Sequence, residues 1–315
     1  MVKQKCPVCN KELNKIIKRR DKYTYYKCPE CCLITSLPSD EEIENYYNGY
    51  QFNLLKNNKK NNRQNKRTWQ DCKKITRDLE KNIISQKKLL DCGGGTGSYA
   101  NAFAHLGFDV TLIDLDKEAC KYATLKYNNL FRVIHGEITT SSLNEKFDYI
   151  FLNQVIEHCK DINAIIEKIS QLLEEDGTLI ITTPNQKSKE FIFRPFFLFS
   201  YIFMVTRKRI DKLPLTFLTF LKDPWICCDP PRHIYSFNRK SLSLLLRKHN
   251  LKIIKNFTEY STSQYYSKKK YYEYNNLKGI IKIILGLWSH LGIKIIKIID
   301  IKNKWGNNLV ILAKK

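Results

Sequence analysis

Short apolar runs and amphipathic stretches alternate between residues 85 and 185 of this chain. The first apolar run ends at Leu90 and is followed, after a glycine-rich turn, by a helix-like segment, SYANAFAHLGF. Further strand-like runs lie at 109–114, at 131–137, in 147–161, where a strand runs into Glu157 and His158, and at 174–185. This pattern predicts five strands, with a tight turn and a helix directly after the first of them.

The turn after the first strand has the sequence LLDCGGGTG, at 89–97. Glycine allows a positive φ and lets a ligand approach the backbone closely, and the following helix presents free N–H groups to that ligand. Asp91 places a carboxylate at the strand end, which a phosphate-binding loop would avoid. A ligand with positive charge is therefore favoured.

Two cofactor classes and a ligand-free alternative fit this loop. Gly95, Gly97 and Ala100 match the dinucleotide fingerprint G-x-G-x-x-G/A, and a plain glycine turn in another α/β protein is also possible. The pattern D-x-G-x-G-x-G resembles motif I of the class I methyltransferases that use S-adenosylmethionine. Glu157-His158 after the fourth strand and Thr-Pro-Asn at the end of the fifth are similar to these enzymes and unlike dehydrogenases.

The resemblance covers 85–185 closely and resumes at 230–257 and 307–315. It implies an α/β, Rossmann-like, doubly wound seven-stranded sheet that binds S-adenosylmethionine. In that family the acid at the end of the second strand holds the ribose hydroxyls, and the acid after the third reaches the adenine amino group. The residues carried over as donor-binding are Asp91, Gly93, Gly95, Gly97, Asp114, Glu137 and Asn153.

Two histidines are candidates for a catalytic base. His158 follows the fourth strand, at the edge where open α/β sheets bind ligands, and His233 lies in the sequence PPRH. For both, a role in capping or packing is the alternative. Asn185, after the fifth strand, is a candidate contact for donor or acceptor.

Two C-x2-C pairs, Cys6 with Cys9 and Cys28 with Cys31, are separated by eighteen residues. Four thiolates at this spacing are typical of a closed, structural zinc site, Zn²⁺ being bound in a tetrahedral shell. Cys32 stands where related ribbons usually have glycine, so either Cys31 or Cys32 could be the fourth ligand. A disulfide framework is the alternative. The segment between the pairs predicts two short strands.

The predicted domain organisation is a zinc ribbon at 1–38, a linker with a helical lead-in at 39–82, and a methyltransferase domain at 83–315. Helical insertions are expected at 186–228 and 261–305. The polar start of the chain and eleven cysteines, several of them in the predicted core, predict a reducing cytoplasm.

Charge divides the chain into three parts. Residues 91–185 carry 7 Lys and Arg against 14 Asp and Glu, whereas 1–90 have a net charge of +11 and 186–315 of +19. Basic flanks suit phosphate-bearing partners or an anionic membrane face, although solvated lysines in a Lys/Asn/Ile-biased chain would look the same.

Two apolar segments with basic residues, at 190–205 and 277–301, have two interpretations. They could roof the acceptor pocket, or they could dock the enzyme peripherally on a membrane that presents a lipid-linked acceptor.

The predicted function is methyl transfer to a sugar, lipid-linked saccharide or other small-molecule acceptor. An RNA methyltransferase and a non-catalytic binding protein on the same fold are the alternatives.

Overall fold

The structure is a computed structural model. It describes residues 4–18, 23–47, 68–73, 75, 86–189, 228, 230–260, 291–292, 294–300 and 304–315. Most of the insertions predicted at 186–228 and 261–305 lie outside the described residues, and so does most of the linker and lead-in. In the part of the chain that is described, no helix combines the length and the apolar character needed to cross a membrane.

A seven-stranded sheet forms the centre of the fold, as predicted. Its strands are β4 (Lys88–Cys92), β5 (Asp109–Asp114), β6 (Arg132–His135), β7 (Phe147–Asn153), β8 (Leu173–Pro184), β10 (Lys252–Glu259) and β11 (Asn308–Lys314). Their order across the sheet is β10-β11-β8-β7-β4-β5-β6. β4 pairs in parallel with both β5 and β7, β5 with β6, and β7 with β8. The carboxyl ends of β4 to β8 therefore meet along one edge.

The central strands are buried because they are apolar on both faces. Leu89, Leu90, Phe151 and Leu152 are fully buried, as expected for a parallel sheet covered on both sides. The helices between the strands are α1 (Ser98–His105), α2 (Lys117–Tyr127) and α3 (Ile162–Leu172), and α4 (Arg239–Lys248) precedes β10.

A separate four-stranded sheet contains the cysteine pairs. β1 (Asn14–Lys18) and β2 (Thr24–Lys27) are the two short strands expected between the pairs. The sheet continues through β3 (Ile34–Ser36) to β9 (Tyr235–Ser236), in the order β1-β2-β3-β9. The ribbon thus takes its last strand from about 200 residues further along the chain, which sequence patterns did not predict.

The chain forms two compact units. The first comprises 1–37, 183–242 and 256–310, and the second comprises 38–182, 243–255 and 311–315. The ribbon sheet belongs to the first unit, and strands β4 to β7 belong to the second. The domain boundaries given above from the sequence remain a prediction.

Candidate active site

The glycine loop between β4 and α1 leaves open space next to its backbone. Gly95 has a φ of +54°, and a Cβ atom built on it would meet nothing within 4 Å. Gly97 is the N-cap of α1 with a φ of +77°, and a Cβ there would lie 2.8 Å from the Phe131 ring. Gly97 is therefore fixed by backbone conformation and packing, whereas Gly95 leaves room for a ligand.

The loop after β7 lies against this glycine loop. A Cβ on Gly93 would stand 2.4 Å from Cγ2 of Val155, which follows β7 by two residues. Only a residue without a side chain allows this approach, so Gly93 brings the ends of β4 and β7 together.

Asp91 lies in β4 and is only 2% exposed. Its Oδ2 atom is buried and has no hydrogen-bond partner among the described residues. Burial, followed by repulsion from Asp114, raises the pKa of Asp91 to about 7. A buried carboxyl group in this condition would be stabilised as the anion by a cationic ligand.

Asp114 ends β5 and is held by two backbone donors. The N–H of Gly95 donates to Oδ2 at 2.7 Å, and the N–H of Asp116 donates to Oδ1 at 2.8 Å. Burial raises the pKa of Asp114 against the lowering effect of these two bonds. Each carboxylate oxygen keeps a lone pair, so the group can still accept two hydrogen bonds from a pair of neighbouring hydroxyls.

Glu137 and Asn153 follow or end the adjacent strands. Glu137 is exposed, and its Oε1 accepts a hydrogen bond from the Thr139 hydroxyl at 2.7 Å. Asn153 ends β7, and its Oδ1 accepts from the hydroxyl of Thr182 on β8. Both lie at the sheet edge that carries Asp91 and Asp114.

His158 lies in a 3₁₀ turn, Ile156–His158, directly after β7. Its Nδ1 is 2.7 Å from the Tyr47 hydroxyl, and its Nε2 is 3.9 Å from Oε1 of Glu157, which is fully buried. Nδ1 and the Tyr47 hydroxyl are within hydrogen-bond distance, and either of them can be the donor, depending on the tautomer of the ring.

Tyr47 was not among the residues chosen from the sequence. It belongs to the aromatic stretch IENYYNGYQF and lies at the end of helical residues 40–47, 111 positions before its partner. The stretch of tyrosines was the only available signal, and it did not indicate which of them would reach His158.

The structure brings together Cys6, Cys9, Cys28 and Cys31. Their four Sγ atoms lie within 4.8 Å of one another. Cys6 and Cys31 are 3.5 Å apart, and Cys9 and Cys28 are 3.3 Å apart. The hydrogen bond from Cys31 lowers the pKa of the Cys6 thiol to about 5 and raises that of Cys31. Four clustered thiols that share protons in this way fit a tetrahedral Zn²⁺ site.

Cys32 is not part of this cluster. It is in the left-handed region, with a φ of +60°, which agrees with its place at a position where glycine is common. The geometry therefore favours Cys31 as the fourth ligand.

His233 and Asn185 both lie in the first unit. His233 is half-buried. Asn185 is 1% exposed, and its side-chain amide donates to the backbone carbonyls of Lys304 and Gly306 while its Oδ1 accepts from the Lys187 N–H. The Asn185 side chain thus links the end of β8 to the backbone that precedes β11. The role predicted for His233 stays a prediction.

The residues at this edge of the sheet fit S-adenosylmethionine. Its ammonium and sulfonium groups are cationic, and positive charge would stabilise the ionised form of the buried Asp91 carboxyl group. Its ribose offers two neighbouring hydroxyls, for which Asp114 keeps two acceptor positions. The open space at Gly95 allows such a ligand to contact the loop backbone.

Comparisons with known proteins place the chain in a family. A family model described as "Methyltransferase domain" matches residues 62–256, which is more than half of the chain. The ubiquinone biosynthesis O-methyltransferase of Glaesserella parasuis is 34% identical over 120 residues, 35% of this chain and 51% of that protein. The mitochondrial enzyme of the same name from Schizosaccharomyces pombe is 31% identical over 110 residues, which are 33% of this chain and 40% of that protein. The chain thus spans about half the length of the curated relatives it matches.

Solved structures of methyltransferases are also similar to this chain. Phosphoethanolamine N-methyltransferase 2 of Haemonchus contortus gives a TM-score of 0.48 at 15% identity and covers 78% of this chain and 52% of that one. A SAM-dependent methyltransferase of Archaeoglobus fulgidus gives a TM-score of 0.46 at 15% identity and covers 79% of this chain and 94% of that one. The family model and the parallel sheet with its D-x-G-x-G-x-G loop agree, and the chain belongs to the class I S-adenosylmethionine-dependent methyltransferases.

Proposed function

We propose that this protein transfers a methyl group from S-adenosylmethionine to a hydroxyl group of a small-molecule acceptor. The observation that carries the donor assignment is Asp91, whose buried carboxyl group has an oxygen without a partner among the described residues. The curated relatives that match part of the chain are named as O-methyltransferases, which supports a hydroxyl acceptor.

The donor supplies an electrophilic methyl group bound to a positively charged sulfur. The chain's own residues position it: Asp91 pairs with its cationic end, Asp114 accepts hydrogen bonds from the ribose hydroxyls, and Glu137 accepts one from the adenine amino group. Asn153 would line the same edge. Holding donor and acceptor in line can contribute about 7–11 kcal/mol to lowering the barrier.

His158 is the proposed base. An acceptor hydroxyl has to lose its proton as the methyl group leaves the donor sulfur, and in this proposal the proton passes to Nδ1 of His158. The Tyr47 hydroxyl, 2.7 Å from Nδ1, occupies the place that an acceptor hydroxyl needs. The acceptor therefore replaces Tyr47 at this nitrogen, and the Glu157 carboxylate stabilises the imidazolium that forms.

Sugars, lipid-linked saccharides and other small molecules supply hydroxyl groups of this kind, and we propose them as the acceptor class. The test is incubation of the protein and radiolabelled S-adenosylmethionine with fractionated cell extract. We expect label in a saccharide, lipid or small-molecule fraction. Label confined to RNA would contradict the proposal and support the RNA alternative.

Two substitutions test the base once an acceptor is labelled. His158→Gln should reduce turnover by roughly 10²–10⁴-fold and leave donor affinity unchanged. Tyr47→Phe should retain turnover, because the phenyl ring leaves Nδ1 open to the acceptor. Tyr46→Phe, at the neighbouring ring, is the matched control. Full turnover by the His158 variant would exclude this histidine as the base.

A further inference from the structure

Helical residues 291–292 and 294–299 belong to the first unit and are buried on one side. Ile296 is 3% exposed, and the backbone N–H of Asp300 donates to its carbonyl at 2.8 Å. The Asp300 carboxylate accepts hydrogen bonds from the Tyr260 hydroxyl at 2.6 Å and from the N–H groups of Lys304 and Trp305 at 2.8 Å each. These bonds fix the end of the helical stretch to the residues that follow β10 and precede β11.

The other side of the same stretch is apolar and exposed. Its exposed side chains are Leu291 (56%), Ile295 (37%), Ile298 (76%) and Ile299 (57%). At 100° per residue these four positions fall within an arc of about 100°. Nine large apolar side chains are exposed in the described part of the chain, and four of them are in this stretch. We call these four residues the apolar ridge.

Cationic side chains lie next to the ridge. Lys294 and Lys297 are exposed and occupy the arc adjacent to Leu291 and Ile298. The Nζ atom of Lys297 is also 5.4 Å from the centroid of the Tyr260 ring. Residues 186–315 carry 26 Lys and Arg against 7 Asp and Glu. Two exposed lysines beside an apolar ridge are features of a segment that lies in the headgroup region of an anionic bilayer.

We propose that the apolar ridge docks this protein on the surface of an anionic membrane. The isoleucines enter the boundary between headgroups and acyl chains, and the long lysine side chains reach the phosphate groups. Docking here does not depend on the methyl transfer proposed above. It would bring the enzyme to acceptors that are anchored in lipid.

The test is sedimentation with vesicles of phosphatidylcholine and phosphatidylglycerol, compared with vesicles of phosphatidylcholine alone, at low and at high salt. Wild-type protein should sediment with the anionic vesicles at low salt. The double variant Ile298→Glu/Ile299→Glu should bind roughly tenfold or more weakly. For the double variant Lys294→Gln/Lys297→Gln, the affinity for anionic vesicles should fall roughly fivefold per lysine, and binding to phosphatidylcholine vesicles should not change.

Leu125→Glu is the matched control, because Leu125 on α2 is 74% exposed and lies outside the ridge. It should sediment like the wild type. Equal recovery of wild-type protein in the supernatant with and without vesicles would overturn the proposal. It would also be overturned if the isoleucine double variant sedimented with anionic vesicles as well as the wild type. A ridge-dependent dimer in light scattering without vesicle binding would also overturn it. Donor affinity measured on the same samples shows separately whether the proposed methyltransferase function holds.

Discussion

At the scale of single residues, the site is defined by two acids at the ends of neighbouring parallel strands, the buried Asp91 and the half-buried Asp114. Asp91 and Asp114 repel each other, and burial raises the pKa of both. Two backbone N–H groups donate to the Asp114 carboxylate and partly offset the cost of its burial, whereas Oδ2 of Asp91 has no hydrogen-bond partner among the described residues. The pair is therefore destabilised until a cationic ligand arrives, and that ligand gains binding energy from neutralising it.

Donor affinity should depend on pH through Asp91. The pKa of about 7 in the free protein means that the carboxyl group is partly protonated near neutrality. A cationic donor stabilises the ionised form, so binding below pH 7 has to release a proton. The affinity should be constant above about pH 8 and should fall up to tenfold per pH unit below about pH 7.

Calorimetric titration with S-adenosylmethionine between pH 5.5 and 8.5, in buffers of different ionisation enthalpy, measures this proton release. Asp91→Asn removes the titrating group and should bind weakly at every pH. An affinity that does not change over this range in the wild type would show that Asp91 is not the partner of the donor's cationic end.

The sequence indicates those site residues that lie at or directly beside the ends of strands. The glycines, Asp91 and Asp114 are of this kind, because parallel strands bring their carboxyl ends to one edge of the sheet. The partner of His158 was missed because Tyr47 comes from 111 positions away. The bonds that Asn185 makes to backbone near residue 305 could not be predicted either, because about 120 positions separate the partners.

At the scale of elements, the cysteine ribbon depends on a distant part of the chain. β3 pairs with β9, and the side-chain amide of Asn238 donates to the carbonyls of Cys31 and Cys32 and to Oε1 of Gln186. The knuckle that supplies the second cysteine pair is thus supported from residues far along the sequence. The C-x2-C spacing predicts the four thiols but contains no information about this support.

Protein purified without chelators should contain one zinc ion per chain. Cys31→Ser should lose the metal, because its Sγ belongs to the cluster, whereas Cys32→Ser should keep it. Elemental analysis measures the zinc content, and circular dichroism follows the ribbon. Donor affinity should change little in either variant, since the predicted site is structural.

A wild-type zinc content of fewer than about 0.2 equivalents, with the ribbon folded, would contradict this expectation. Loss of zinc in the Cys32 variant and not in the Cys31 variant would assign the fourth ligand to Cys32.

At the scale of the whole molecule, the order of elements predicts the fold well. Five strands, the glycine turn and the first helix follow from periodicity between residues 85 and 185, and the resemblance to methyltransferases implies the remaining strands. Which strands make up the ribbon sheet cannot be predicted from the sequence, because a two-residue strand such as β9 is too short to show a periodic pattern. The acidic centre and basic flanks indicate partners by charge and do not determine the acceptor.

The most direct test of the central claim is the identity of the bound cofactor. Calorimetric titration with S-adenosylhomocysteine should show one site of micromolar affinity, a binding free energy of about 7–9 kcal/mol. Titration with NAD should show no binding. Asp114→Ala should weaken the binding of S-adenosylhomocysteine at least tenfold. Asp109→Ala, at the opposite and exposed end of β5, should have no effect. No heat with S-adenosylhomocysteine or S-adenosylmethionine, together with clear binding of NAD, would contradict the account.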